Sequence, residues 1–210
     1  MSRKILILVT VVPLFTALDQ LTKIWIRAQA AANELPVEII PKFFNLIFVE
    51  NPGAAWGLMR NHEHRLTIFL LVSVVAFVVI GLYYRSLTER DNWLAVALSM
   101  ILSGAIGNFI DRALFGKVTD FFDFHVGWNG ALRDFTLDRW HTSHYPTFNV
   151  ADIAIVLGVA VFLFHVLVIE TLRGRGAGDA EQEPAPESAP ESGSAPESDS
   201  EPDAAENGGE

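Results

Sequence analysis

The chain has 210 residues, 50% of them hydrophobic, and a positive mean hydropathy, a balance that excludes an ordinary soluble domain of this size and points to a membrane protein. The net charge of −10 belongs to a tail: residues 179–210 hold 11 of the 25 acids and no Lys or Arg, which leaves +1 on the rest, so no nucleic-acid partner is expected. With no cysteine, thiolate catalysis, disulfides, thiolate metal sites and a lipid-modified N-terminal cysteine are excluded.

The chain opens with Arg3-Lys4 and the uncharged run Ile5 to Leu18. This start could be a signal peptide cut near Ala28-Gln29-Ala30, but three further apolar spans favour an uncleaved first anchor. Fourteen residues rise only about 21 Å as a helix. A membrane span must therefore continue through Asp19 toward Ile26, giving about 5–26. Asp19 and Lys23 then lie at the far interface or slightly inside it, spaced i,i+4 on one face where they can pair.

Val37 to Ile40 and Asn45 to Val49 are short apolar runs broken by Pro41 and Lys42, which predicts a small sheet or hairpin. They lead into Asn51-Pro52-Gly53-Ala54-Ala55-Trp56-Gly57. Two readings are open there: a tight turn that packs Trp56 at the interface, or an extended loop offering backbone hydrogen bonds to a peptide.

Uncharged runs of 19, 19 and 17 residues predict further spans over about 66–84, 92–110 and 152–169. Ser99, Ser103 and Gly107 form a small-residue stripe suited to close helix packing. In Gly107-Asn108-Phe109-Ile110-Asp111-Arg112, Asn108 and Arg112 again share a face. Arg112 could hold a carbonyl, phosphate or carboxylate, or simply pair with Asp111. His141 and His144 lack further ligands at metal-site spacing, and His165 reads as a packed or interface-facing polar group. Residues 174–210, with Ala-Pro-Glu-Ser at 185–188, 189–192 and 195–198, predict a disordered acidic Pro/Ser/Glu-rich tail beyond a membrane domain of residues 1–173.

Arg3, Lys4, Arg85, Arg90, Arg173 and Arg175 flank the span ends on one side, so both termini are expected in the cytoplasm. Asp19, Lys23, Asn108, Asp111, Arg112, Asp120, Asn149 and Asp152 then gather at the outer ends of spans one, three and four. Asp120 and Asp152 stand where apolar segments meet polar ones, and ionisable groups kept at a bilayer edge are functional candidates. Should the two carboxyls meet, repulsion keeps one protonated while the other acts as base, the state a peptide hydrolase needs. A small transporter or assembly factor that uses the same polar cluster for binding is the alternative.

Five ordered motifs carry a resemblance: Asp19-Gln20-Leu21-Thr22-Lys23, Asn51-Pro52-Gly53-Ala54-Ala55-Trp56, Gly107 to Arg112, Val118-Thr119-Asp120-Phe121 and Phe148-Asn149-Val150-Ala151-Asp152. Over roughly residues 5–170 the chain resembles the lipoprotein signal peptidases, also called signal peptidase II, the aspartyl peptidase family A8. The resemblance implies an all-α membrane protein of four transmembrane helices with a small outer-leaflet β-cradle and an amphipathic periplasmic helix. It implies an endopeptidase of the bacterial inner membrane, active on the periplasmic side, that removes signal peptides from diacylglyceryl-modified prolipoproteins. It assigns catalysis to Asp120 and Asp152, and pocket-lining or supporting roles to Asp19, Lys23, Asn51, Gly53, Asn108, Asp111, Arg112, Asn149 and Ala151. No metal or organic cofactor is implied; prolipoproteins, membrane phospholipid and globomycin-type inhibitors are the implied partners. Two features depart from the family pattern: 31 residues separate the aspartates, a long connection, and the acidic tail is atypical.

Overall fold

The structure is a computed structural model, and it describes residues 1–53, 64–125 and 145–170. Helix α1 runs over Arg3–Ala31, about 44 Å at ~1.5 Å per residue, well beyond the expected 5–26. Asp19 and Lys23 do not end it because they neutralise each other within one turn, Nζ to Oδ2 at 3.0 Å. Helix α2 spans Arg65–Ser86, α3 Asn92–Phe115 and α4 Val150–Phe164, the last extended by a π-helical turn over His165–Glu170. All four helices are long and apolar enough to cross a membrane.

Helix α3 is the centre of the bundle, packing on α4 and α1 and more lightly on α2. Its small-residue stripe makes that possible: Ser99, Ser103, Gly104 and Gly107 are all buried. A Cβ on Gly104 would overlap the Ala151 carbonyl, and one on Gly158 would come within 2.7 Å of the Ala97 carbonyl, so α3 and α4 approach backbone to backbone. Helix α2 buries only Ile80 and Tyr84 and turns most of its length outward. At that end of the bundle Tyr84 donates its hydroxyl to the Lys4 carbonyl at 2.5 Å, and Lys4 Nζ donates to the Leu87 carbonyl.

Three strands form an antiparallel sheet in the order β1 (Val37–Ile40), β2 (Phe44–Asn51), β3 (Val118–Phe124). The β1–β2 hairpin is the one the apolar runs predict. Strand β3 differs from the expectation of a polar loop after span three. Gly116, left-handed at φ 70°, ends α3, and Val118 to Phe124 then pairs with β2 in the register Asn51↔Val118, Glu50↔Thr119 and Val49↔Asp120. The aromatic residues of Phe121-Phe122-Asp123-Phe124 make this a strand: Phe122 packs on Phe44 and Phe148, and Phe124 stacks on Phe44 at 4.6 Å between ring centroids.

The 31-residue connection closes on itself before it reaches α4. The amides of Phe121 and Phe122 both donate to the Phe148 carbonyl, at 3.1 and 2.9 Å, and the Tyr145 amide donates to the Phe124 carbonyl at 2.8 Å. The chain therefore leaves β3 and returns beside it. Residues 126–144 of this long connection lie outside the described residues, as do Trp56, His141, His144 and the tail; no amphipathic helix occurs among the described ones.

Candidate active site

Asp152 is the third residue of α4 and is fixed by the helix start itself. The Asp152 amide donates to Asn149 Oδ1 at 3.1 Å, and the Asn149 amide donates back to Asp152 Oδ2 at 3.2 Å, a capping box made by Asn and Asp. This cap moves the start of the helix to Val150, two residues ahead of the expected boundary.

The side-chain nitrogen of Asn149 remains free for other partners. It donates to Asp120 Oδ1 at 2.7 Å and to Asn108 Oδ1 at 3.1 Å. Asp120 Oδ2 accepts from Asn51 Nδ2 at 2.9 Å, while Asn51 Oδ1 accepts from the Gly53 amide at 2.9 Å. That second bond makes Asn51 the head of a turn, and Gly53, at φ 91°, supplies a backbone conformation other residues rarely adopt.

Asn108 completes the circuit from α3. Its Nδ2 donates to Asp152 Oδ1 at 2.8 Å, and its Oδ1 accepts from Lys23 Nζ at 3.0 Å. A lysine ammonium only donates, so Lys23 dictates which end of the Asn108 amide faces Asp152. Asp120, Asp152, Asn51, Asn108 and Asn149 thus form one hydrogen-bonded unit drawn from β2, α3, β3 and α4.

Asp120 is buried and Asp152 half-buried. Burial pushes the Asp120 carboxyl up to about 6, with the charge of Asp152 adding to it, while the amides of Asn51 and Asn149 hold it down. Asp152 opens onto a groove of about 260 Å³ whose remaining walls are Tyr145, Phe148, Ile153, Val156 and Leu157. The reachable carboxyl therefore stands at the head of an apolar channel along α4.

Beneath the pair lies a buried charge cluster. Lys23 Nζ is 3.0 Å from Asp19 Oδ2 and 3.4 Å from Asp111 Oδ2, and all three side chains are excluded from solvent. Asp19 Oδ1 accepts from the Ala151 amide at 2.9 Å, which links α1 to the first turn of α4. Gly107 gives Asp19 its room, since a Cβ there would overlap Asp19 Oδ2. Asp111 pairs with α1 rather than with Arg112. Arg112, half-buried, has its guanidinium 4.8 Å over the Phe69 ring and feels the charges of Asp152, Asp120 and Asp111.

The fold thus brings together the eleven residues that the resemblance assigns to the site: Asp120, Asp152, Asn51, Asn108 and Asn149 in the circuit, Asp19, Lys23, Asp111 and Ala151 beneath it, Gly53 and Arg112 beside it. Three supporting residues were not singled out. Gln20 donates to Asp19 Oδ2 at 3.0 Å and to the Gly107 carbonyl at 3.1 Å. Arg27 donates to Thr119 Oγ1 at 2.7 Å and reaches Asp111 Oδ1 at 3.6 Å, while the Thr119 amide donates to Asp111 Oδ2 at 2.8 Å. The signal for Arg27 is the row Asp19, Lys23, Arg27 at four-residue spacing; Gln20 and Thr119 lie inside the motifs Asp19 to Lys23 and Val118 to Phe121. Among the described residues no group of three or more His, Asp or Glu side chains is placed to hold a metal ion.

Residues 11–168 match the sequence family described as Signal peptidase (SPase) II. The chain is 40% identical over 158 residues to the lipoprotein signal peptidase of Syntrophotalea carbinolica, covering 75% of this chain and 88% of that one. It is 38% identical over 169 residues to the lipoprotein signal peptidase of Desulforapulum autotrophicum, covering 79% and 94%. Its fold is similar to a bacterial membrane enzyme solved by the in meso method at 2.3 Å, with a TM-score of 0.58, 26% identity and coverage of 88% and 94%. A second such enzyme, at 1.9 Å, gives a TM-score of 0.57 with 28% identity over 79% and 92% of the two chains.

Proposed function

The chain belongs to the signal peptidase II family, and from that premise we propose how its site performs the family's reaction. It is an aspartic endopeptidase that removes signal peptides from prolipoproteins. A transporter or assembly factor is not favoured.

Asp120 and Asp152 are the catalytic pair in this reading. The observation that carries it is the shared amide circuit: Asn149 touches both carboxyls, and Asp120 is raised to about 6 while Asp152 faces the groove. Asp152 takes a proton from a water molecule, whose oxygen attacks the scissile carbonyl carbon. Asp120 gives its proton to the carbonyl oxygen. As the tetrahedral diol collapses, the C–N bond breaks, the leaving nitrogen takes the proton held by Asp152, and one diol hydroxyl returns its proton to Asp120, so that a new amine and a new carboxyl result and the pair is restored. Arg112 and the Asn51 turn supply charge and donors at the edge of the same space.

The test is cleavage of a diacylglyceryl-modified precursor by purified wild type, Asp120→Asn and Asp152→Asn. Both variants keep the side-chain size and remove the proton-transfer group, so both should lose cleavage; full activity in either overturns the assignment. Globomycin-type inhibitors should block the wild-type reaction by occupying this site, and bilayer phospholipid is the expected surrounding.

The same reading makes residues 1–173 the peptidase domain of the inner membrane, with 174–210 a cytoplasmic tail and the aspartates on the periplasmic face. The basic residues at the α2–α3 turn and beyond α4 support that orientation. Because the chain has no cysteine, single cysteines at Glu34 and Glu89 report it directly. A membrane-impermeant maleimide applied to intact spheroplasts should label position 34 alone; labelling at 89 alone reverses the topology.

A further inference from the structure

We propose that Phe69, near the start of α2, is a positioning residue for the aspartate pair, because its ring meets both of the pair's outlying supports, Arg112 and the Asn51–Gly53 turn. The inference rests on the reading of Asp120 and Asp152 as the reacting groups.

Two independent contacts converge on the ring. On one side the Arg112 guanidinium sits 4.8 Å from the ring centroid, within the range of cation–π attraction. On the other, Gly53 is so close that a Cβ there would overlap Phe69 Cε2 and approach Cδ2 and Cζ to 2.7 and 2.9 Å. Gly53 is the residue whose amide holds Asn51 Oδ1, and Asn51 in turn donates to Asp120 Oδ2. Arg112 stands within reach of the charges of Asp152, Asp120 and Asp111. One ring on α2 thus touches both the turn that holds Asp120 and a cation within reach of the pair's charges.

The surroundings argue against plain packing as the whole account. Helix α2 buries only Ile80 and Tyr84, both toward its other end, and Leu71, Val72 and Val75 are largely exposed. The helix nonetheless keeps its register on α3 at the site end. Phe77, eight residues on and so on the same face as Phe69, makes an edge-to-face contact with Phe109 at 5.5 Å. Phe69 to Arg112 and Phe77 to Phe109 run in opposite chain directions, as two antiparallel neighbours must. Helix α2 is thereby a lever whose site-facing tip is an aromatic ring. The ring gives the Arg112 guanidinium a neighbour that holds it by cation–π attraction at the site end of α3.

The test uses the full chain in detergent or bilayer with a diacylglyceryl-modified precursor, reading kcat and KM separately. Pentafluorophenylalanine at position 69 keeps the ring's shape but reverses its quadrupole. It should lower kcat about fivefold with KM changed by less than about twofold. Phe69→Leu should lower kcat about tenfold, and Phe69→Tyr should stay within about threefold of wild type. Gly53→Ala combined with Phe69→Leu should be slower than Gly53→Ala alone by clearly less than the roughly tenfold loss of Phe69→Leu in the wild-type background, since one of the ring's two contacts is already disturbed. Wild-type kcat with the pentafluoro ring, or losses that multiply in the double variant, overturn the proposal. Asp120→Asn and Asp152→Asn in the same assay keep the two readings apart: active aspartate variants overturn the dyad, whereas inactive ones beside a fully active pentafluoro variant overturn only the role of Phe69.

Discussion

The side-chain amide of Asn149 donates to Oδ1 of Asp120 at 2.7 Å, joining the start of α4 to strand β3 across the 31 residues that separate the two aspartates. The same residue caps α4 and binds Asp152 through its backbone amide. One asparagine therefore fixes the position of both carboxyls.

Replacing it separates the two jobs. Asn149→Ser keeps a side-chain oxygen that caps the helix, but it has no amide to give Asp120. Losing a hydrogen bond to a charged group costs about 1.5–3 kcal/mol, so kcat/KM should fall about 10- to 100-fold. The unfolding midpoint should fall as well, but by less than in Asn149→Ala, which loses the helix cap in addition. Cleavage kinetics together with thermal unfolding in detergent test this, and an unchanged kcat/KM would show that the amide is not needed.

The pH dependence follows from Asp120. Its carboxyl is raised to about 6, chiefly by burial and further by Asp152, and the Asn51 and Asn149 amides oppose that rise by favouring the ionised form. If Asp120 gives the proton, kcat/KM falls as pH rises through this range. Asn51→Ala removes one donor to the carboxylate, so the ionised form becomes less favourable and the alkaline limb moves to higher pH. A limb that moves to lower pH, or does not move, contradicts the assignment of the acid.

The same shift has a cost in stability. A carboxyl raised from 3.8 to about 6 on folding contributes stability that is complete below about pH 4 and lost as pH rises through about 6. Two pKa units correspond to about 3 kcal/mol at neutral pH. Asp120→Asn, which cannot ionise, should therefore unfold at a higher temperature than wild type at pH 7, with the difference shrinking below pH 4. Differential scanning fluorimetry across that pH range measures it, and a variant less stable at pH 7 would contradict burial as the cause.

Lys23 holds a different kind of stake. Removing one member of a buried ion pair leaves the partner uncompensated and costs about 3–5 kcal/mol. Lys23→Met strands Asp19, while Asp111 keeps Arg27 at 3.6 Å. The single variant should be severely destabilised, and Asp19→Asn added to it should recover part of the loss, because the amide oxygen can still accept from the Ala151 backbone. A double variant no better than the single one would show that the charge of Asp19 is not what suffers.

Much of this site was legible because the membrane makes polar residues expensive. Asp19, Lys23, Asn108, Asp111 and Asp152 stood out as polar groups beside or within apolar runs, and their end of the bundle is where the structure gathers them. The hairpin from Val37 to Asn51 could be read from two apolar runs and a break. Strand β3 could not, since Asp120 and Asp123 interrupt its apolar pattern and its stability comes from Phe44 and Phe148, remote in sequence. Phe69 was likewise invisible in an unbroken apolar span, where nothing local separates a ring that faces Arg112 from one that faces lipid.

By itself the sequence determined the number of spans, the polar end of the bundle and the residues able to do acid/base chemistry, since hydropathy and spacing along one chain decide these. Only the tertiary structure decided that Asp120 and Asp152 share a site. Their chain separation of 31 residues carries no distance; the return of Phe148 to Phe121 and Phe122, and the reach of Asn149 to Asp120, bring the two carboxyls into one circuit. Which way each amide points is also a property of the assembled fold, because it depends on a lysine from α1 meeting an asparagine from α3.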